Sequence, residues 1–145
     1  MSDLAEQLIE ESEGLQLEAY RDNRGLWTVG YGHLLDQSKD WTGYTITQTQ
    51  ADILMDADIR AARAYAATFP HFADMNPVRQ AVLVSMCFQM GTKPLHWPNF
   101  IAALQNQDFT GAGFAGLDSL WEKQTPERAK REMQMLVSGV WQQNA

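Results

Sequence analysis

Two carboxyl groups and one hydroxyl near the start of the chain stand at spacings that local structure can bring together. They are Glu13, Asp22 and Thr28, all within the segment SEGLQLEAYRDNRGLWTVGYGH at 12–33. Glycoside hydrolysis needs two carboxyl groups on opposite walls of a cleft, one protonated to donate to the leaving oxygen and one ionised. A hydroxyl beside them can orient a water. Spacing alone also fits three ordinary residues: a solvated helix-end acid, a turn acid and a strand threonine.

The first helix of the chain must position Glu13. Either Ser2 or Asp3 can cap its start, and Gly14 directly after Glu13 is typical of a helix C-terminus. Glu13 lies one turn beyond Ile9 on the apolar face of this helix, so we expect a partly buried carboxyl at the helix end. Burial favours the protonated form of a carboxyl group, which is the form that a general acid needs.

A β-hairpin must position the other two groups. Turn residues at 23–25 separate short apolar segments around Leu17 and over 26–29, which predicts two antiparallel strands. In this hairpin Asp22 and Thr28 are expected to lie almost opposite each other, within the few ångströms that separate facing side chains. The hairpin would therefore bring one acid and the hydroxyl together, while the helix supplies the other acid.

Four ordered blocks of the sequence resemble one known family. The first is the pattern EGL…AYRD…WTVGYGH, which contains the two acids and the hydroxyl, and the others are SMCFQMG at 85–91, WEKQTPERAKR at 121–131 and VSGVW at 137–141. Together they resemble the phage-type lysozymes of glycoside hydrolase family 24 over nearly the whole chain. The resemblance implies a single lysozyme-like α+β domain, with the active-site cleft between a small β-hairpin lobe and a mainly helical lobe.

The resemblance also implies the division of the chain between these lobes. The small β-containing lobe is expected over 15–46 and a bridging helix over 47–67. Residues 1–14 and 68–145 are then expected to build the helical lobe.

The family implies an activity and a role for each of the three candidate catalytic residues. The expected reaction is hydrolysis of the β-1,4 bond between N-acetylmuramic acid and N-acetylglucosamine in bacterial peptidoglycan. Glu13 would protonate the leaving oxygen, Asp22 would activate a water on the opposite face of the sugar, and Thr28 would help to hold that water. The family precedent is inversion at the anomeric carbon, without a covalent intermediate.

Eight further residues are candidates for the site. Gly30 and Gly32 would leave one wall without side chains, so that a bulky substrate could approach the backbone. The residues expected to bind substrate are Gly30, Gly32, Phe88 and Gln89, and those expected to support the site are Arg128, His33, Asp58 and Trp121. By family resemblance, His33 would pair with Asp58 and Arg128 would reach Glu13. Each of these residues also has an ordinary structural explanation. The glycines could form bulges or bends, Gln89 could be a hydrogen-bonded amide at a helix end, and Trp121 could pack in the core.

The rest of the chain contains well-marked helices. Thr47 and Gln50 form a capping-box pattern that opens the bridging helix. Its apolar stripe is expected at Ile53, Leu54, Ala57, Ala61, Ala64 and Tyr65, with Asp52, Asp56, Arg60 and Arg63 facing water. An apolar helix is expected to begin at Pro77 and to end before Gly91. Because it is apolar almost all round, we expect this helix at the centre of the core. Further helices are expected over 99–107, over 110–120, and from Thr125 to about 138.

Composition limits the classes of partner. The chain has 145 residues, is 45% hydrophobic, and carries a net charge of −7, all of it from residues 1–66, which hold 12 acids and 5 bases. This length and hydrophobic content predict one core. The negative charge argues against nucleic acid and against simple attraction to an anionic wall polymer. Bacterial peptidoglycan is the expected partner, and we expect a monomer.

Neither a cofactor nor a membrane anchor is indicated. The sequence has no metal-binding cluster and no phosphate-binding glycine loop, so we expect no cofactor. Cys87 is the only cysteine and lies in an apolar segment, where a buried thiol is expected. The N-terminus lacks the pattern of a signal peptide, so we expect the protein in the host cytoplasm until it is released to the wall.

Two other functions remain open from the sequence. The same fold could serve as a non-catalytic wall-binding or scaffold domain, which the acidic N-terminal half favours and the three retained catalytic residues oppose. The cleft could also cut chitin or another amino-sugar polymer.

Overall fold

The computed structural model describes residues 3–144, and within them the chain forms an α+β fold of seven α-helices and one small antiparallel sheet. The predicted fold class is therefore confirmed. Met1, Ser2 and Ala145, which were assigned to the helical lobe, lie outside the described residues, and so does the possible cap at Ser2.

The elements follow one another in a simple order. The helices are α1 (Leu4–Glu13), α2 (Gln48–Ala66), α3 (Pro77–Met90), α4 (Pro98–Gln105), α5 (Phe109–Leu117), α6 (Leu120–Gln124) and α7 (Pro126–Ser138). The strands are β1 (Gln16–Arg21), β2 (Trp27–Gly30) and β3 (His33–Leu34), and short 3-10 turns cover Phe72–Asp74 and Lys93–His96.

Helix α1 begins and ends where its sequence indicates. The side chain of Asp3 accepts a hydrogen bond of 3.0 Å from the backbone N–H of Glu6, which satisfies a free donor of the first turn. Gly14 follows the helix with φ 68°, a conformation that an L-residue with a side chain adopts only at a cost. Leu8 and Ile9 are fully buried, so α1 is packed into the core and Glu13 stands at its end.

The three strands form a sheet in the order β1-β2-β3, with a register that differs from the predicted one. Tyr20 lies opposite Thr28, and the backbone N–H of Asp22 donates to the carbonyl of Leu26 at 2.9 Å. The expectation that Asp22 and Thr28 face each other was therefore wrong by two positions. Because side chains alternate between faces with a period of two, both groups still belong to the same face of the hairpin.

Helix α2 starts with the predicted capping box but buries a different face. The side chain of Thr47 accepts from Gln50 N–H at 3.1 Å, and the side chain of Gln50 accepts from Thr47 N–H at 2.9 Å. The buried residues are Ala51, Met55, Ile59, Ala62 and Ala66, whereas Ile53 is 63% exposed and Tyr65 is also exposed. Both stripes have helical spacing, and the one that packs against β2 and α3 is the buried one, so the predicted stripe was wrong.

Helix α3 is the centre of the larger core, as predicted. All seven residues from Ala81 to Cys87 are buried, and α3 packs against α1, α2 and α7. Burial raises the pKa of the Cys87 thiol to about 12. A smaller cluster of Val29, Ile46 and Ala51 joins the sheet to the start of α2. Helix α2 thus contributes residues to both hydrophobic clusters.

The C-terminal helices depart from the prediction in one place. The single helix expected over 110–120 is two helices, α5 and α6, with a break at 118–119. Helix α7 covers the predicted span and ends at Gly139 with φ 69°. In the part of the chain that the structure describes, no helix combines the length and the apolar character that crossing a membrane would require.

The buried face of α2 can be tested with one substitution at two positions. Ile59→Ala is expected to lower the free energy of unfolding by about 2–5 kcal/mol, because it removes buried methyl groups and leaves a cavity. Ile53→Ala, on the exposed face of the same helix, should change it by less than about 0.5 kcal/mol. Chemical denaturation followed by circular dichroism measures both. If Ile53→Ala lost more free energy of unfolding than Ile59→Ala, the apolar stripe predicted from the sequence would be the buried one.

Candidate active site

A cleft of about 530 Å³ lies between the sheet and the helices α2, α3 and α7. Its lining includes nine of the residues predicted from the sequence: Glu13, Asp22, Thr28, Gly32, His33, Asp58, Phe88, Gln89 and Arg128. The fold therefore brings most of the candidate residues to one concave surface. Trp121 lines an adjoining cavity of about 450 Å³, which shares six lining residues with the cleft, Arg24, Gln89 and Thr125 among them.

Glu13 stands where α1 meets α7. Its carboxylate forms an ion pair with Arg128, as the resemblance implied, and 15% of the Glu13 side chain is exposed. Gly32 approaches it from the sheet with φ 72°, and a Cβ added to Gly32 would overlap the Glu13 carboxylate. The Glu13 carboxylate can therefore occupy this position only because residue 32 has no side chain.

Arg128 has a second acidic partner that the sequence analysis missed. Its Nε donates to Oε2 of Glu132 at 2.9 Å, and its Nη2 donates to Oγ of Ser85 at 3.0 Å. Glu132 is completely buried, and Ser85 also donates to its Oε2 at 2.9 Å. The i,i+4 spacing of Arg128 and Glu132 on α7 was the available sequence feature.

The buried cluster shifts the pKa values of its members. Burial raises the pKa of Glu132, and the nearby Arg128 offsets part of this effect. Burial by itself would lower the pKa of Arg128, but the negative charges of Glu132 and Glu13 outweigh it and raise the pKa. Arg128 is therefore a permanent cation between two acids.

Asp22 is fixed by the turn of the hairpin. Its Oδ1 accepts from the backbone N–H groups of Arg24 at 2.8 Å and Leu26 at 2.9 Å, and its Oδ2 accepts from the Arg24 guanidinium at 3.2 Å. Donors that point at a carboxylate favour its ionised form. The turn thus holds the Asp22 carboxylate in a fixed position among three donors, which suits a base.

Thr28 is 2% exposed, yet it lines the cleft. Its hydroxyl donates to the backbone carbonyl of Leu26 at 2.9 Å, so the hydroxyl proton is already engaged in a hydrogen bond. Toward a water molecule the oxygen can then only accept a hydrogen bond.

Gly30 does not lie with the other candidates. It has φ 68°, and a Cβ there would sit 3.5 Å from side-chain atoms of Ala51 and Ile46 in the small core. The structure places it against α2 and not among the residues that line the cleft. Of the two glycines proposed to contact substrate, the geometry brings Gly32 alone to the cleft.

His33 and Asp58 form the expected ion pair. The distance between His33 Nδ1 and Asp58 Oδ2 is 2.7 Å, and the pair joins β3 to α2. The hydrogen bond from Asp58 raises the pKa of His33. The contact therefore holds the sheet against α2 beside the cleft.

Gln89 is held by its neighbours on the helical side. The indole N–H of Trp121 donates to its Oε1 at 2.8 Å, and its Nε2 donates to Thr125 Oγ1 at 3.1 Å. Trp121 is buried and packs against Trp97, so the core role is the one that the structure supports. Phe88 precedes Gln89 on α3 and reaches the cleft with its partly buried side chain.

Tyr20 is a further cleft residue that sequence reasoning missed. It lies opposite Thr28, and burial together with the charges of Glu13 and Asp22 raises its pKa. Its position two residues before Asp22, on the same face of the hairpin, could have identified it. Among the described residues, no group of three or more His, Cys, Asp or Glu side chains is arranged to hold a metal ion.

A mainly helical part, a small antiparallel sheet and two acids on the cleft between them form the arrangement expected of a lysozyme-like glycoside hydrolase. A model of the family described as phage lysozyme matches residues 10–138, so the chain belongs to that family. The predicted family and enzyme class, a lysozyme hydrolase, are confirmed by this membership.

Similar proteins include relatives that are themselves named lysozyme or endolysin. The chain is 22% identical to probable T4-type lysozyme 1 of Dictyostelium discoideum, over 92% of this chain and 93% of that protein. It is 26% identical to the endolysin of Salmonella phage P22, over 90% of this chain and 92% of that protein. It is also 29% identical to the pre-baseplate central spike protein Gp5 of Enterobacteria phage T4, over 92% of this chain but 27% of that protein.

The close approach of Gly32 to Glu13 predicts a loss of activity from a single methyl group. Gly32→Ala is expected to displace the Glu13 carboxylate and lower kcat/KM on peptidoglycan by about 100-fold. Gly43→Ala is the matched control, because Gly43 has φ 80° with open space around it. Both variants should lose about 1–2 kcal/mol of stability from the backbone conformation. Equal activities for the two would contradict the expectation.

The His33–Asp58 pair predicts a pH-dependent contribution to stability. Because the His33 pKa is raised in the fold, this contribution is complete below the ordinary value of 6.5 and is lost as pH rises through the raised pKa. Asp58→Asn should therefore destabilise the protein most at the acidic end of a range from about pH 5 to pH 9. Denaturation curves and an NMR titration of His33 measure this.

Asp56→Asn provides the control for that experiment, since Asp56 pairs with Arg60 on the exposed side of the same helix. Its effect on stability should not vary over this pH range, and the His33 titration should stay as in the wild type. If the His33 pKa were unchanged in Asp58→Asn, the assigned cause of the shift would be wrong.

Proposed function

We propose that the protein is an endolysin-type muramidase that hydrolyses the β-1,4 bond between N-acetylmuramic acid and N-acetylglucosamine. The observation that carries this proposal is the shared cleft of Glu13, Asp22 and Thr28, in which one acid lies at a buried helix end and the other in a donor-rich turn. Unequal environments are what separate a proton donor from an ionised base.

In the proposed reaction Glu13 transfers its proton to the glycosidic oxygen as the bond to the anomeric carbon breaks. A water attacks that carbon from the opposite face of the sugar, and Asp22 accepts a proton from this water. Thr28 accepts a hydrogen bond from the same water, because its own proton is bonded to the carbonyl of Leu26. Each step balances without a cofactor, and the configuration at the anomeric carbon is inverted.

Arg128 places a condition on this mechanism. A neighbouring cation favours the ionised form of Glu13, whereas the reaction needs the protonated form. A bound sugar polymer would exclude water from the cleft, and exclusion of water disfavours an unscreened carboxylate. The substrate itself would then help to keep the proton on Glu13.

The biological role follows as part of the same proposal. Relatives named endolysin support a role in breaking the host wall at the end of a phage infection. The protein would remain in the host cytoplasm until a separate event releases it to the peptidoglycan. All residues proposed to act on the substrate lie on one chain, so the proposed reaction needs no second copy and we propose a monomer.

Neutral replacements of the two acids test the mechanism. Glu13→Gln and Asp22→Asn are each expected to lower kcat by about 100-fold or more, since general acid–base catalysis contributes that much. Glu10→Gln, an exposed acid on the same helix, and Asp40→Asn, an exposed aspartate that also accepts a backbone N–H, should retain activity. Hydrolysis of purified peptidoglycan measures all four, and melting temperatures confirm folding.

The product and the substrate complete this test. NMR of the freshly released reducing end should show the α-anomer, because inversion of a β bond gives α, and a β-anomer would contradict the mechanism. If wild type and Glu13→Gln were equally unable to cut peptidoglycan, the chain would be a non-catalytic wall-binding domain. Faster cleavage of chitin oligomers than of peptidoglycan would reassign the substrate.

A further inference from the structure

Glu132 is a completely buried carboxyl group that no step of the proposed reaction uses. Its Oε2 accepts hydrogen bonds from Arg128 and Ser85, and its Oε1 is the one buried side-chain oxygen or nitrogen without a partner among residues 3–144. Burying a carboxyl group is costly unless it is paired and hydrogen-bonded, and an unpaired oxygen adds to the cost. A leucine at this position would avoid the cost, so the acid needs another explanation.

The position of Glu132 relative to Glu13 explains why an acid is present there. The two acids contact the same guanidinium at different nitrogens, Glu13 at Nη1 and Glu132 at Nε, so that Arg128 lies between them. The side chain of Arg128 is only 10% exposed, so water screens these charges weakly. The charge of the whole cluster therefore matters.

Counting charges shows the effect of the second acid. With Glu132 ionised, the cluster of two carboxylates and one guanidinium has a net charge of −1, and protonation of Glu13 makes it neutral. Without that charge, ionised Glu13 and Arg128 already balance, and protonation of Glu13 leaves an uncompensated buried cation. An ionised Glu132 thus makes the protonated form of Glu13 the neutral state of the cluster.

We infer that Glu132 is a positioning residue for catalysis: it holds Arg128 against Glu13 and offsets the guanidinium charge, so that Glu13 can carry the proton it donates. The inference rests on the proposed role of Glu13 as the general acid. It also resolves the conflict between a neighbouring cation and a proton donor within the free protein, before any substrate is bound.

The other titratable groups around the cluster do not replace Glu132. Tyr20 on β1 and the thiol of Cys87 on α3 both have raised pKa values and stay neutral near pH 7. Asp22 is paired with Arg24. Glu11 on α1 and Arg131 on α7 pair with each other at 2.7 Å, which cancels their charges.

The test is the pH dependence of Glu132→Gln, which keeps the shape of the side chain and removes its charge. Loss of the proton from the general acid sets the high-pH limb of the kcat/KM profile. In Glu132→Gln we expect this limb to move to lower pH by about one pH unit. A nearby charge changes the pKa of a carboxyl group by at least about this much. Glu127→Gln removes an equal charge from the exposed side of α7 and should leave the limb in place.

A second variant separates charge from packing. Glu132→Asp keeps the negative charge, so its limb should stay close to that of the wild type even if its stability falls. A merely structural role for Glu132 would lower the activity of both variants without moving either limb. An unmoved limb in Glu132→Gln would therefore overturn the inference.

This failure can be distinguished from failure of the proposed mechanism. If Glu13→Gln retained activity, the general-acid assignment would be wrong. If Glu13→Gln were inactive and the limb of Glu132→Gln were unmoved, only the role of Glu132 would be wrong.

A measurement on the wild type covers the case in which neither Glu132 variant folds. Glutamate carboxyl carbons labelled with ¹³C can be titrated by NMR, with the Glu13→Gln spectrum used to assign Glu13. We expect a buried glutamate that is ionised at the pH of maximal activity while Glu13 is protonated. Burial favours the proton on Glu132, so the opposite result, protonated Glu132 and ionised Glu13, is the one that would overturn the inference.

Discussion

The buried ion pair between Glu13 and Arg128 is the contact on which the site depends. It joins the end of α1 to the first turn of α7 across 115 positions of the chain, and both side chains are largely buried. Desolvation offsets much of the attraction in such a pair, so its main effect is on geometry and not on stability. Helix α1 can place a carboxyl at the cleft only because α7 supplies a partner there, and Gly32 leaves the space for it.

The two acids of the cleft are held by opposite means. Glu13 lies at the end of a helix buried in the large core, where long-range contacts with α7 and the sheet determine its environment. Asp22 is held within its own turn, by backbone N–H groups two and four residues along the chain. A local turn can stabilise an ionised carboxylate without help from the rest of the fold. A proton donor needs burial, which only the assembled core provides.

This difference explains what the sequence could predict. Asp3, Gly14, Thr47 with Gln50, and Pro77 act through hydrogen bonds and dihedral angles of nearby residues, and the helix boundaries they predict agree with the structure. The buried face of α2 was wrong because its sequence contains two apolar stripes, and the packing of α3 decides between them. Glu132 was missed because nothing local distinguishes an exposed i,i+4 pair from a buried one, and Gly30 was assigned to the cleft although its neighbour is α2.

The acidic composition of the chain has less influence on the cleft than its net charge of −7 suggests. Each acid that lines the cleft has a basic partner: Glu13 pairs with Arg128, which it shares with the buried Glu132, Asp22 pairs with Arg24, and Asp58 pairs with His33. Lys93 is a further cation of the lining. Salt screens charges beyond roughly 8–10 Å, so an anionic polymer at the cleft meets mainly these paired groups and not the surplus acids elsewhere. The negative charge of the N-terminal half is thus compatible with wall hydrolysis, because each acid that faces the substrate has a basic side chain beside it.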